Sequence, residues 1–243
     1  MAKRLFLFCF LSLLIVVSYA QQKVTYNAAD GLQITADLYL GPPNSPIIIL
    51  LHQAGSSRGE YRAIAPKLVN LGYSCLAVDL RSGDQENFVV NETAERAKKE
   101  NLPQGYLDAL PDILASIDYA RALVQKPVIL FGSSYSASLS LIVASQSVKV
   151  GGVIACSPGE YFGDTTYVTR RINLPKKSVF ITGTQREIPY IERMVKSIPP
   201  GNLVINGPGN FTGCHGAKTF WVSSPESKDM WLALSMFFVR LPK

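Results

Sequence analysis

The chain has 243 residues, enough for one large domain with a substantial core. Apolar residues make up 47% of it and charged residues 17%, a composition that excludes a disordered chain. The formal net charge is +6, but no basic run or ribbon of aromatic and basic residues accompanies it, which argues against a nucleic-acid partner.

The first twenty residues have the three parts of a secretory signal peptide. Lys3 and Arg4 give a positive start, residues 5–17 are apolar, and the segment ends on the small residue Ala20. We therefore predict a signal peptide over residues 1–20, cleavage after Ala20, and export to the periplasm or the exterior. An uncleaved anchor is the alternative, although the apolar stretch is short for a full bilayer span. After cleavage we expect no stable membrane insertion.

The first third of the remaining chain predicts a hairpin followed by two buried strands. Residues 24–40 alternate between apolar and polar and are broken by a turn at Asp30-Gly31, a pattern typical of a β-hairpin. Residues 45–52 form a continuous apolar run that ends in a loop, which indicates a strand buried on both faces, and residues 73–80 are predicted to be a second buried strand. Between them, helical periodicity over residues 58–72 predicts a helix that ends at a glycine.

The rest of the chain repeats this alternation. Helices are predicted over 106–123, 136–146, 188–198 and 228–241, and strands over 126–132, 151–157, 177–184 and 202–207. The order predicts an α/β fold with a mostly parallel sheet and helices on both faces. Ligands of such sheets bind at the carboxyl ends of the strands.

No linker divides this region, so we expect residues 21–243 to form a single domain. Residues 82–105 interrupt the alternation of strands and helices, because the segment is polar and longer than a usual connection. It is predicted to be either a small cap over the site or a long surface loop.

A candidate nucleophile follows the predicted strand 126–132. The sequence Gly132-Ser133-Ser134-Tyr135-Ser136 resembles the G-x-S-x-G turn on which hydrolases mount a serine, with Ser136 in place of the last glycine. The required context, a buried strand before and a helix after, is predicted here. The same local pattern would also fit Ser134 as the N-cap of a helix.

The two histidines of the chain, His52 and His215, favour the catalytic interpretation. His215 follows the last predicted strand, where a hydrolase of this topology carries the base that activates its serine. His52 ends strand 45–52 and opens the loop that would supply an oxyanion hole. We expect His52 to brace that loop by hydrogen bonds, and the backbone N–H groups of Tyr135 and of Ala54 or Gln53 to bind the oxyanion.

Four segments together resemble the dienelactone-hydrolase-like branch of the α/β-hydrolase superfamily: "LLHQAGSSRGEYR", "GSSYSAS", "CSPGEYFG" and "CHGAKTFW". The resemblance covers nearly all of the chain after the signal segment. It implies an eight-stranded sheet, a triad of serine or cysteine with an acid and a histidine, no cofactor or metal, and hydrolysis of esters or related acyl compounds. Ser134 stands where dienelactone hydrolases proper use a cysteine, which favours a carboxylesterase-like reaction on a small acyl substrate.

The acid of the triad departs from the family pattern. Relatives usually carry an Asp a few residues after the strand that corresponds to 177–184, whereas here Arg186 occupies that position and Glu187 follows it. Glu160, after the preceding strand, is the other candidate. We favour Glu160, because it follows a Pro-Gly turn among aromatic residues, and keep Glu187 as the alternative.

Two further residues are candidates for substrate binding. Arg81, just after strand 73–80, could hold a substrate carboxylate, although a local ion pair with Asp79 or a contact with a loop would also explain it. Tyr161 lies on the predicted rim of the site. A competing function is that of a weak or inactive hydrolase-fold protein that only binds a ligand, suggested by the missing Asp, by Ser136 and by the glycine-poor oxyanion loop.

Overall fold

The computed structural model describes residues 21–241, so the predicted signal peptide lies outside the described residues. The strands are β1 (Gln21–Asn27), β2 (Gln33–Tyr39), β3 (Ile47–Leu51), β4 (Ser74–Val78), β5 (Gln85–Glu86), β6 (Val89–Val90), β7 (Val128–Ser133), β8 (Val150–Cys156), β9 (Ser178–Thr182) and β10 (Leu203–Ile205). The α-helices are α1 (Ala65–Asn70), α2 (Glu92–Lys99), α3 (Leu110–Val124), α4 (Tyr135–Gln146), α5 (Ile188–Met194) and α6 (Ser227–Phe238). None of the helices in this part of the chain is both long and apolar enough to cross a bilayer.

Eight strands form one sheet in the order β1-β2-β4-β3-β7-β8-β9-β10. The predicted hairpin makes β1 and β2 antiparallel, and β2 is also antiparallel to β4. Along the rest of this order, β4-β3-β7-β8-β9-β10, every neighbouring pair is parallel. The mostly parallel eight-stranded sheet predicted from the sequence is therefore confirmed. Its parallel strands bring the loops after β3, β7, β8, β9 and β10 to the same edge.

The core has two layers, one on each face of the sheet. Successive residues of β3 alternate between them, with Ile49 packed on one side and Ile48 on the other, and all five residues of the strand are buried. Helices α3, α4 and α5 cover the first face, while α1 and α6 cover the second. Burial on both faces explains why the central strands are continuous apolar runs rather than alternating ones.

The predicted helix over 58–72 is shorter than expected. The structure has a 3₁₀ turn at Arg58–Tyr61, capped by the Ser57 side chain, and α1 begins only at Ala65, with Pro66 in its first turn. The turn forms because Arg58 and Glu60 point inward to buried partners instead of lying on a solvent-facing helix surface.

Residues 82–105 contain the small hairpin β5–β6 and helix α2. Asn91 caps α2 by accepting a hydrogen bond from the N–H of Ala94 at 2.8 Å, and its buried side-chain nitrogen donates to the carbonyl of Leu80 at 2.8 Å. Helix α2 packs against β2, with Arg96 donating to Thr35. The segment is thus structured and hydrogen-bonded to the sheet, while its predicted role as a cap stays a prediction.

Candidate active site

Ser134 lies at a sharp turn between β7 and α4. Its backbone has φ 59° and ψ −123°, a conformation that is strained for any residue with a side chain. The turn is held by the Ser134 N–H, which donates to the carbonyl of Cys156 at 2.8 Å. Such strain at a strand-to-helix turn is the geometry that exposes a nucleophilic serine at the edge of a parallel sheet.

The contacts around Ser134 explain both Gly132 and the unusual Ser136 of the turn. A Cβ at Gly132 would lie 2.5 Å from the backbone of Ala137, so only glycine fits there. Ser136 is fully buried, and its hydroxyl donates to the carbonyl of Leu51 at 2.7 Å while accepting from the N–H of Ser133 at 2.9 Å. A serine in place of the last glycine therefore bonds the turn to the end of β3.

His215 reaches Ser134 from the loop after β10. Its Nε2 lies 2.9 Å from the Ser134 hydroxyl oxygen, although the two residues are 81 positions apart in sequence. The Ser134 side chain is nearly buried, whereas 42% of the His215 side chain is exposed. The histidine is within hydrogen-bond reach of the proton it would have to remove.

Glu187 completes the chain of contacts. Its Oε1 lies 2.6 Å from Nδ1 of His215, and its Oε2 accepts from the Ser157 hydroxyl at 2.7 Å and from the Thr184 N–H at 2.9 Å. Partial burial opposes ionisation, but these hydrogen bonds outweigh it and lower the pKa of Glu187 to about 2. An ionised carboxylate can only accept, so the Nδ1 of His215 carries the proton and its Nε2 is free to accept one from Ser134.

The prediction that Glu160 is the acid of the triad is wrong. Its carboxylate accepts from the backbone N–H of Val168 and from the N–H and hydroxyl of Thr169 at 2.8 and 2.7 Å. These bonds hold the start of the 3₁₀ turn Thr169–Arg171, and the side chain does not reach His215. The structure brings Glu187, the alternative candidate, to that position.

One of the predicted oxyanion donors is already used. The N–H of Gln53 donates to Glu60 at 2.8 Å and so cannot serve a substrate. Within residues 21–241, the N–H groups of Ala54 and Tyr135 have no acceptor. Ala54 and Tyr135 therefore stay the candidate pair.

His52 braces the oxyanion loop, as predicted. Its Nδ1 donates to the carbonyl of Gln53 at 2.7 Å and its Nε2 accepts from the N–H of Leu80 at 2.9 Å. Complete burial lowers the pKa of His52 to about 4, so the ring is neutral at neutral pH.

Arg81 does not face the site, and the substrate-binding role predicted for it is wrong. Its guanidinium is buried and pairs with Asp112 at 2.6 Å and with Asp30 at 2.6 Å. The local pair with Asp79 is not formed, since Asp79 pairs with Arg58, whereas the pair with Asp30, in the turn between β1 and β2, is a contact with a loop. Arg81 and Asp79 thus each have an oppositely charged partner, but that partner lies at least 21 positions away in the sequence.

Tyr161 lies beside the nucleophile. Its hydroxyl donates to the carbonyl of Ser157 at 2.8 Å. Burial raises the pKa of Tyr161 to about 12. The placement fits the predicted rim of the site.

Three residues of this region were missed from the sequence: Glu60, Ser133 and Ser157. Ser157 has a positive φ of 54°, and its hydroxyl connects Glu187 with the N–H of Gly216, next to His215. Only its position after a predicted strand could have indicated it. Glu60 resembled an ordinary surface residue of a helix. Among the described residues, no group of three His, Cys, Asp or Glu side chains is arranged to hold a metal ion.

The fold is shared with several hydrolases of known structure. An esterase of Pyrococcus furiosus superimposes with a TM-score of 0.67 at 16% identity, over 92% of each chain. A dienelactone hydrolase from Anabaena variabilis superimposes with a TM-score of 0.68 at 17% identity, over 93% of this chain and 99% of that one. The protein has the α/β-hydrolase fold. The predicted resemblance is thus confirmed at the level of fold.

A larger α/β hydrolase shows the same similarity over part of its length. An acylaminoacyl peptidase of Pyrococcus horikoshii superimposes with a TM-score of 0.65 at 14% identity, over 91% of this chain but only 41% of the peptidase. No protein-family model matches the sequence, and no curated protein matches it. The function therefore has to be argued from the site.

Proposed function

We propose that this α/β-hydrolase-fold protein is a serine hydrolase that cleaves carboxylic esters or related acyl compounds. The observation that carries the proposal is the unbroken line of contacts from the Ser134 hydroxyl through His215 to the Glu187 carboxylate, built on a strained turn. A helix N-cap serine would account for none of these contacts. The esterase and dienelactone hydrolase among the structural neighbours are consistent with this chemistry.

The reaction proceeds in two halves. Ser134 attacks the acyl carbonyl while Nε2 of His215 takes its proton, and the N–H groups of Tyr135 and Ala54 stabilise the oxyanion. His215 then gives the proton to the alcohol oxygen as the ester bond breaks. The alcohol departs, and the acyl group stays on Ser134. Water, activated by the same histidine, hydrolyses the acyl-enzyme. Glu187 stays ionised throughout and stabilises the imidazolium ion.

An activity-based probe tests the proposal. A fluorophosphonate should label the folded protein at Ser134, and Ser134→Ala should lose both the label and the hydrolysis of short-chain p-nitrophenyl esters. Labelling of the variant at a different serine would contradict the assignment of the nucleophile. No labelling of correctly folded wild-type protein would favour the alternative of a ligand-binding protein without hydrolase activity.

We also propose that the protein acts outside the cytoplasm as a single domain starting at Gln21. Support comes from the signal-like residues 1–20 and from the pairing of Gln21, in β1, with Tyr39 of β2, which makes the residue after the predicted cleavage site part of the sheet. Fractionation of the source cells followed by intact-mass measurement should find a chain lacking residues 1–20 in the exported fraction. A full-length chain in the membrane fraction would instead support the uncleaved anchor.

A further inference from the structure

Glu60 is a completely buried carboxylate directly beneath the catalytic residues. Its Oε1 accepts from the Ser133 hydroxyl at 2.7 Å, and its Oε2 accepts from the N–H of Gln53 at 2.8 Å. Ser133 immediately precedes Ser134, and Gln53 immediately precedes Ala54. One side chain therefore bonds to the neighbours of the nucleophile and of an oxyanion donor.

The same network reaches the histidine loop. The Ser133 hydroxyl accepts from the N–H of Ala217 at 2.8 Å, two residues after His215. The contact is close, because a Cβ at Gly216 would lie 2.4 Å from the Ser133 oxygen. In addition, Nε1 of Trp221, farther along that loop, donates to the backbone carbonyl of Glu60 at 3.0 Å. Three loops from three strands thus meet at one acid.

We propose that Glu60 is a positioning residue, which through Ser133 and Gln53 fixes the distances between Ser134, His215 and the oxyanion donor Ala54. The inference rests on the proposed hydrolase function. Glu60 touches neither Ser134 nor His215 directly, so it acts on the reaction through the loops that carry them. Misplacement of reacting groups by about 1 Å can cost on the order of 10²-fold in rate.

The ionised form of Glu60 is the one that holds the three loops. Both of its partners donate to it, and the Ser133 hydroxyl already accepts from the N–H of Ala217, so both oxygens of Glu60 act as acceptors, as the oxygens of a carboxylate do. Burial raises the pKa of Glu60 from 4.5 to about 7, against the two hydrogen bonds. Hence the positioning network should form as the pH rises through about 7 and be weakened below it.

Two charged residues near Glu60 shift its pKa in opposite directions. The positive charge of Lys218 lowers the pKa of Glu60 and the negative charge of Glu86 raises it. These two residues also pair with each other at 2.7 Å. The remaining groups that interact with it are the uncharged side chains of Tyr61, Tyr135 and Cys156, all buried. Lys218, the cation that acts on Glu60, is itself partly exposed.

The test is the pH dependence of kcat and KM for p-nitrophenyl acetate, measured on wild-type protein that has first been shown to label with fluorophosphonate at Ser134. In the wild type, the acid limb of kcat/KM should have a slope of about two, because both His215 and Glu60 must lose a proton. In Glu60→Gln, whose amide can accept on only one atom, the slope should fall to about one. Its kcat should fall about 10- to 100-fold while KM changes little.

Two further variants keep the inference testable. Ser133→Ala removes the link to Ala217 but leaves the bond to Gln53, and should lower kcat less than Glu60→Gln. Glu160→Gln, which alters a glutamate bonded to the turn Thr169–Arg171 and not to Glu60 or His215, should keep the wild-type slope and kcat. A wild-type slope of one, or a folded Glu60→Gln protein with unchanged kcat and slope, would overturn the inference. Failure of wild-type labelling would instead overturn the proposed function on which it rests.

Discussion

Ser136 shows how one side chain can replace a glycine in a tight turn and add a constraint. In the turn at Ser134, the position of Ser136 faces the end of β3, and its hydroxyl bridges the carbonyl of Leu51 and the N–H of Ser133. A glycine at this position would have no side chain to bond to either group. The hydroxyl thus couples the nucleophile turn to the strand that carries the oxyanion loop.

We expect Ser136→Ala to be destabilising, because the buried N–H of Ser133 would lose its acceptor, whereas the carbonyl of Leu51 would keep its hydrogen bond from the Tyr61 hydroxyl. An unsatisfied buried polar group costs about 1–3 kcal/mol, so the free energy of unfolding in urea should fall by that amount. Ser140→Ala in the same helix is the control, since the buried Ser140 hydroxyl donates only to a carbonyl one turn back. Equal losses in the two variants would contradict the role given to Ser136.

The two glutamates predicted from the sequence can be separated by kinetics. Glu187→Gln removes the negative charge beside Nδ1 of His215, and by analogy with a serine-protease triad kcat should fall about 10³- to 10⁴-fold. Glu160→Gln should leave kcat within about threefold of wild type, because its partners are the N–H groups of Val168 and Thr169. The reverse order would show that the acid of the triad is not the one the geometry brings to His215.

At the scale of elements, Arg58 is one of the residues that hold the segment 82–105 to the sheet. The Arg58 guanidinium is nearly buried and pairs with Asp37 of β2 at 3.2 Å, with Asp79 after β4, and with Glu92 at the start of α2 at 2.8 Å. The Asp79 carboxylate also accepts from the N–H groups of Arg58 and Glu92. A strand, a loop and a helix are thereby joined at a single charge cluster.

Loss of this cation should be costly. Arg58→Met would leave two buried carboxylates without their partner, and breaking a buried ion pair from one side costs about 3–5 kcal/mol of the free energy of unfolding. Lys149→Met removes an exposed pair with Asp118 and should cost less than about 1 kcal/mol. Denaturant titrations of both variants at neutral pH give the comparison. A loss at Arg58 no larger than at Lys149 would exclude the proposed anchoring.

At the scale of the whole molecule, the order of strands and helices was predictable from periodicity alone. Residues 47–51 and 128–131 are apolar throughout because both faces of the central sheet are covered, so the burial of these strands is visible in the sequence. The same order placed Ser134 and His215 at one edge of the sheet. The predictions that rest on burial and on chain order are therefore the ones that the fold confirms.

The partners of the charged residues were not predictable in this way. Arg81 pairs with Asp112 and Asp30, and Glu187 rather than Glu160 reaches His215. Each of these contacts joins residues at least 28 positions apart, and the sequence does not distinguish a glutamate that caps a turn from one that orients a histidine. Which glutamate reaches His215 depends on distances of a few ångströms between loops, and the periodicity of apolar residues does not predict such distances.

The burial of Asn91 has a consequence for how the protein can be produced. Asn91-Glu92-Thr93 is an acceptor sequence for N-linked glycans, which are attached to the side-chain nitrogen of asparagine. In the folded protein that nitrogen lies inside and donates to Leu80, so an oligosaccharide there could not be enclosed. Chains glycosylated at Asn91 during secretion by a eukaryotic host should fail to fold, whereas export by a bacterium without this pathway leaves the residue free to turn inward.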